Sequence, residues 1–192
     1  MGKLVVTEFI TLDGVIEDPG GSENLDRGGW ALQFDRGDEG NKFKLDEVLD
    51  AEAQLLGRVT YEGFAAAWPS RTDEFGFAER MNTMPKYVVS STLKDLTWDN
   101  STRIDGDVAE EVAKLKEQVA GEILVAGSAM LVRALVENDL VDELRLMVFP
   151  TVLGGGKRLF GESASAKTFG LVESRPVGDD GVVILRYEPA KS

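Results

Sequence analysis

The chain has 192 residues, 43% of them apolar and 29% charged, which suits one soluble domain, residues 1–192, with a sizeable core. Its formal net charge of −13 argues against a nucleic-acid or anionic-membrane surface, because phosphate contacts need a basic patch. Cysteine and histidine are both missing, which removes disulfides, thiolate chemistry, Ser-His-Asp triads and the usual zinc sites. No metal site is expected, and any proton transfer falls to Asp, Glu, Tyr, Lys or water. No apolar run approaches 18 residues, and the first eight residues read as a strand rather than a signal peptide. The expectation is a cytoplasmic protein.

Residues 3–10 are rich in Val and Ile and read as a strand, followed by a turn at Asp13-Gly14. Residues 17–36 are polar and Gly-rich, too polar for core. Yet they carry Trp30 and Phe34, which predicts a lid packed on the body or a pocket wall. The acids of 35–39 read as solvated surface. Residues 43–53 read as a helix with Leu45, Val48, Leu49 and Ala53 on one face. A short strand at 53–56 then runs into Gly57-Arg58-Val59-Thr60, where Thr60 can cap a helix ending at Trp68-Pro69.

A short helix is expected at 75–84 and a strand at 86–90, which ends in the hydroxyls Ser90, Ser91 and Thr92. Asp107 and Glu110 fit a capping box for an amphipathic helix carrying Val108, Val112, Leu115 and Val119. Residues 123–126 form an apolar run of the kind buried on both faces of a sheet. Gly127 breaks it, and Ser128 can cap a helix whose Leu131, Leu135 and Val136 share a face. Residues 142–149 alternate, with Leu144, Leu146 and Val148 on one side and Glu143, Arg145 and Met147 on the other. A loop at 150–160 holds Gly154-Gly-Gly-Lys157-Arg158, and two further strands are expected at 168–175 and 182–188. Strands interleaved with helices give way to strands alone. The pattern predicts an α/β fold, a three-layer α/β/α sheet that is mostly parallel and turns antiparallel at its C-terminal strands. No linker, repeat or low-complexity segment interrupts it.

Three turns thus lie at strand C-terminal ends: Gly57 to Thr60, Ser90 to Thr92, and Gly127 to Ala129. Ligands of open α/β sheets collect along that edge, and a helix N-terminus there offers free N–H groups to an anion. No Gly-x-Gly-x-x-Gly follows the first strand, which argues against a classical Rossmann dehydrogenase.

The order and spacing of these pieces resemble the dihydrofolate-reductase-like superfamily, in the branch of the bacterial riboflavin-biosynthesis reductase domain. The resemblance spans nearly the whole chain. It rests on Leu12-Asp-Gly-Val-Ile16, Gly57-Arg-Val-Thr-Tyr-Glu62, Val88-Val-Ser-Ser-Thr92, Val125-Ala-Gly-Ser128 and the 150–160 loop. It implies an oxidoreductase that uses NADPH. Arg58 and Thr60, beside Gly57, would meet the cofactor phosphates. Ser90, Ser91 and Thr92 would lie near the adenosine 2′-phosphate, and Gly127, Ser128, Ala129, Met130 and Leu131 would hold the pyrophosphate. The Asp13 segment, with Val15 and Ile16, would lie beside the nicotinamide. Ser128 stands where dihydrofolate reductases have a second glycine, and no carboxylate stands out on the first long helix, which argues against folate itself.

The implied reaction is hydride transfer to a small pteridine-like, pyrimidine-like or carbonyl substrate, with Asp13 or water supplying the proton. Trp30, Lys157 and Arg158 are candidates for the substrate side. The alternative is a non-catalytic nucleotide-binding protein that kept the fold. The branch also implies a homodimer, for which 144–149 offers an apolar strand near the C-terminal edge of the sheet.

Overall fold

The computed structural model describes residues 1–162 and 165–190. In chain order they form β1 (Lys3–Thr11), α1 (Gly37–Asp50), β2 (Ala51–Gly57), α2 (Arg58–Ala67), α3 (Phe77–Thr83), β3 (Lys86–Val89) and β4 (Ser101–Ile104). Then come α4 (Val108–Gln118), β5 (Glu122–Ala126), α5 (Ala129–Glu137), β6 (Glu143–Phe149), β7 (Phe169–Val177) and β8 (Val182–Pro189). Among the described residues the strands make one eight-stranded sheet, ordered β4-β3-β2-β5-β1-β6-β8-β7. Strands β1 to β6 run parallel, and β8 and β7 join antiparallel.

The alternation of β1 divides the core. Leu4, Val6 and Ile10 pack with Val112 and Leu115 of α4 and Leu131, Val132 and Leu135 of α5. Val5 faces the other way and packs with Val48 of α1, Tyr61 of α2 and Met81 of α3. This gives the three layers expected. A third cluster lies beneath the 17–36 segment, where Trp30, Met147, Phe149, Leu153, Val177 and Ile184 meet. No helix among the described residues is long and apolar enough to cross a membrane.

Several expectations need correction. Helix α1 starts at Gly37, where Asp38 and Glu39 favour the positive end of the helix, and it stops before Ala53. Leu49 is exposed rather than buried. Strand β4 was not expected: Ser-Thr-Arg-Ile has no apolar alternation, and it lies at the sheet edge, where one neighbour suffices. Thr60 does not cap α2, which starts at Arg58 after Gly57. Ser128 occupies the cap position of α5, but in a left-handed conformation with φ 69° and with no side-chain cap bond. No cis peptide occurs among the described residues.

Strand β6 does not present a free apolar face either. It lies between β1 and β8, so 144–149 is interior and a dimer would need another surface. Its polar side is buried as an ionic cluster. Glu143, fully buried, contacts Lys3 at 2.5 Å, Arg145 at 2.8 Å and Arg186 at 2.6 Å. Arg145 also meets Glu122 at 2.7 Å.

Candidate functional site

The parallel order β3-β2-β5-β1-β6 puts the Ser90, Gly57, Gly127, Leu12–Ile16 and Pro150 turns side by side along one edge. Two of them touch. A Cβ built on Gly57 would stand 2.2 Å from Ser128 Oγ, and one on Gly127 would stand 2.8 Å from Thr60 Oγ1. Glycine at both positions therefore lets the N-termini of α2 and α5 sit together. Gly127 also has φ 74°, which suits glycine.

Neither helix start carries a side-chain cap bond or an acid in its first turn. The contrast lies within the same chain: Asp107 caps α4 by accepting the Glu110 N–H, and Asp73 accepts the N–H groups of Phe75, Phe77 and Ala78 at the start of α3. The paired starts of α2 and α5 thus leave N–H groups free where dipoles add, a place for an anion.

Around this point the candidates divide. Arg58 stands at the start of α2, half exposed, paired with Glu62 at 3.0 Å. Ser90 is buried and its Oγ accepts the Thr92 and Leu93 N–H groups, leaving its O–H free to donate, while Ser91 and Thr92 are exposed. Arg103 on the unexpected β4 donates to the Leu93 carbonyl and pairs with Asp105, bracing that turn. It is a basic neighbour of Ser90 that periodicity could not reveal. Met130 is exposed, whereas Ala129 and Leu131 are buried in the core. Val15 and Ile16 also point their side chains into core clusters, so only their backbones can face a ligand.

The end of β1 is open on one side. Its pairing with β5 stops at Thr7 and Ala126, while its pairing with β6 continues to Thr11 and Phe149. Glu8 is the first residue past that stop. It is 6% exposed, and its Oε1 accepts the Gly127 N–H at 3.0 Å. Burial pushes its carboxyl up to about 8. Phe9 follows, with the Arg36 guanidinium 5.0 Å and the Lys44 amine 5.2 Å from its ring centre. Arg36 donates to Asn41 and pairs with no carboxylate among the described residues, and burial lowers its pKa.

Asp13 behaves differently from expectation. It accepts the Thr11 hydroxyl at 2.6 Å, the Gly154 N–H at 2.8 Å and the Leu153 N–H at 3.2 Å. The Thr11 hydroxyl first, then the Gly154 N–H, hold its carboxyl down at about 2. Such a group is ionised at neutral pH and has no proton to give. It staples the Gly-rich loop to the β1 turn. Lys157 and Arg158 do the same from the other side: Lys157 pairs with Glu17 at 2.7 Å, and Arg158 donates to the Asp13 carbonyl at 2.9 Å. Trp30 is core. It is 1% exposed, its indole N–H donates to the Glu17 carbonyl, and its ring meets Phe149 edge-on. The polar segment around it closes on buried Asp18, whose carboxylate accepts the Glu23 and Leu25 N–H groups. It packs on the body, as one of the two expectations had it, but Trp30 turns inward.

With this geometry in view, a family model described as the RibD C-terminal domain matches residues 2–183. The chain belongs to the RibD C-terminal domain family. It is 28% identical over 188 residues, 96% of this chain and 94% of the relative, to the uncharacterised protein YyaP of Bacillus subtilis. A putative riboflavin biosynthesis protein from Shewanella sp. PV-4 superposes with a TM-score of 0.69 at 22% identity, over 98% of this chain and 99% of the other. Dihydrofolate reductase from Enterococcus faecalis, solved in complex with NADP(H) and RAB-propyl, gives 0.63 at 17% identity, over 98% and 97% of the two chains. At these identities the two structures speak for the fold alone: this chain shares its overall architecture with both.

Proposed function

We propose that this protein is an NADPH-dependent reductase of a small carbonyl, pteridine-like or pyrimidine-like substrate. One observation carries the reading: two uncapped, acid-free helix N-termini are held against each other by Gly57 and Gly127 at the C-terminal edge of the sheet. In a chain of net charge −13, that local gathering of N–H groups favours an anion, and Arg58 stands beside it. The donor set fits a dinucleotide. The turns at Gly57 and Gly127–Ala129 would take the pyrophosphate, Arg58 and the Ser90–Thr92 hydroxyls the adenosine 2′-phosphate, and the open end of β1 the nicotinamide.

The cofactor, when bound, supplies a hydride. The chain's own part is to bind, to orient and to manage the proton. Phe9, flanked by Arg36 and Lys44, puts positive charge on the α1 side of β1, next to the end of the strand that β5 leaves open. Calorimetric titration of NADPH and NADH tests the reading. NADPH should bind saturably and roughly tenfold or more tighter than NADH, since one charge-assisted contact contributes about 1.5–3 kcal/mol. No saturable binding of either would overturn it. NADPH binding without oxidation over a panel of carbonyls and cyclic imines would leave a nucleotide-binding protein.

A further inference from the structure

The proposed reduction needs a proton as well as a hydride, and Asp13 cannot supply it. Glu8 has the placement that Asp13 lacks. It stands on the central strand, one residue past the last β1–β5 pair, on the edge that β5 leaves open. It is more than nine-tenths buried, yet the Gly127 N–H is its one hydrogen-bond partner among the described residues. Its second carboxyl oxygen is thus unpartnered, beside the turn that opens α5. The charged groups facing it are Lys44 from α1 and Glu23 from the 17–29 segment, of opposite sign. Its β6 neighbour is Leu146, and the first turn of α5 brings no charge.

Resting on the reading above, we propose that Glu8 is the acid of this site: a neutral carboxyl that carries the proton consumed by the reduction, kept protonated by the anion bound at the adjacent turn. An ionised carboxylate at this place would repel a pyrophosphate and would lie in a poorly solvated spot with one donor. A neutral carboxyl avoids both costs. The balance is complete. Hydride adds to the carbon of a C=O or C=N bond, and the π pair moves to the heteroatom. That atom takes the proton as the Glu8 O–H bond breaks, leaving an alcohol or amine, oxidised nicotinamide and the Glu8 carboxylate. Solvent reprotonates the carboxylate through its remaining exposure.

The linkage is measurable with NADPH alone. With the Glu8 carboxyl at about 8 in the free protein, the bound anion should move it higher. NADPH affinity should then be level near pH 7 and weaken by up to roughly tenfold per pH unit above 8. Calorimetry at pH 9 in two buffers of different ionisation heat should show uptake of most of one proton per NADPH bound. Glu8→Gln keeps an acceptor for the Gly127 N–H and should bind NADPH with flat pH dependence and no uptake at pH 9. It also subtracts Lys86, whose amine is brought down to about 8 by burial at the opposite end of β3. The buffer comparison uses wild-type protein only, so an absence of uptake overturns the role of Glu8 even if the variant does not fold. Saturable NADPH binding with no proton uptake at pH 9, or an equal pH dependence in Glu8→Gln, overturns the role of Glu8 and leaves the cofactor reading standing. No NADPH binding at any pH overturns both.

Discussion

Gly57 and Ser128 lie so close that a methyl group on the first would stand 2.2 Å from the hydroxyl and 2.7 Å from the Cβ of the second. Rotating the serine removes the first contact but not the second. Gly57 has φ −79° and ψ 160°, so alanine is free to adopt its backbone, and the cost of Gly57→Ala is steric alone. Such overpacking typically costs about 1–3 kcal/mol. The variant should fold with a lowered Tm and, with the α2 and α5 starts pushed apart, lose roughly tenfold or more in NADPH affinity. Ser128→Gly should relieve it. It removes the obstructing atoms and also a left-handed non-glycine residue, a conformation that costs roughly 1–2 kcal/mol. Ser128→Gly alone should therefore raise Tm, and the double variant should recover more than the sum of the single effects. Simple additivity in the Tm series would mean that the two residues do not meet.

Asp13 is expected to matter for the loop and not as an acid. Its carboxylate gathers three donors from Thr11, Leu153 and Gly154. Asp13→Ala leaves two backbone N–H groups without their partner and should cost about 1–3 kcal/mol. Hydrogen exchange should quicken at 153–158 and at 14–17, with the helices unaffected. Asp13→Asn, which keeps an acceptor, should recover part of the protection. Unchanged exchange in the loop of Asp13→Ala would count against the staple.

Much of this architecture can be read from the chain, for a physical reason. A strand inside a parallel sheet is buried on both faces, so β5 shows as a bare apolar run, and the glycine after it shows where the chain must turn. The order of such runs and turns then carries the family. What cannot be read depends on contacts between distant residues. Glu8 interrupts an otherwise apolar alternation and looks like a solvent-facing position. Its role comes from Gly127, 119 residues away. Trp30 lies in a polar stretch, and its burial depends on the Asp18 carboxylate, the Glu17 carbonyl and the Arg27 contact to Leu153 that draw that stretch onto the body. Strand β4 has no pattern because an edge strand needs none.

The ionic cluster under β6 gives a prediction with a definite sign. Burial alone would raise the Glu143 carboxyl, but Arg145, Arg186 and Lys3 outweigh it and hold the group at about 2, below its ordinary value of 4.5. A depressed carboxyl contributes stability that is present above about 4.5 and lost as pH falls through about 2. Glu143→Gln leaves Arg145 and Arg186 in place without their common counter-charge, a loss of about 3–5 kcal/mol for a broken buried pair. Denaturant midpoints of wild type and variant should differ widely at pH 7 and converge toward pH 2. A constant gap over that range would show that packing, not charge, sets the effect.

Arg58 provides the sharpest test of cofactor choice. NADPH and NADH differ by one phosphate on the adenosine ribose, which carries about −1.5 to −2 charge at neutral pH. The protein's own net charge of −13 opposes that group at long range, and salt screens the opposition beyond ~8–10 Å, so selection must come from close contacts. Arg58 now spends its charge on Glu62, but both side chains are nearly half exposed, and a pair of that kind is worth about 0–1 kcal/mol. Exchanging Glu62 for a phosphate is therefore favourable, because a charge-assisted hydrogen bond contributes about 1.5–3 kcal/mol. Arg58→Ala should reduce NADPH affinity by roughly tenfold to a hundredfold and barely change that of NADH. Glu62→Ala, which frees the guanidinium, should strengthen NADPH binding severalfold and NADH binding less. The two titrations separate the phosphate that Arg58 serves. If Arg58→Ala weakens both cofactors equally, Arg58 belongs to the pyrophosphate they share, and the hydroxyls of Ser90, Ser91 and Thr92 with Arg103 must account for any preference that remains.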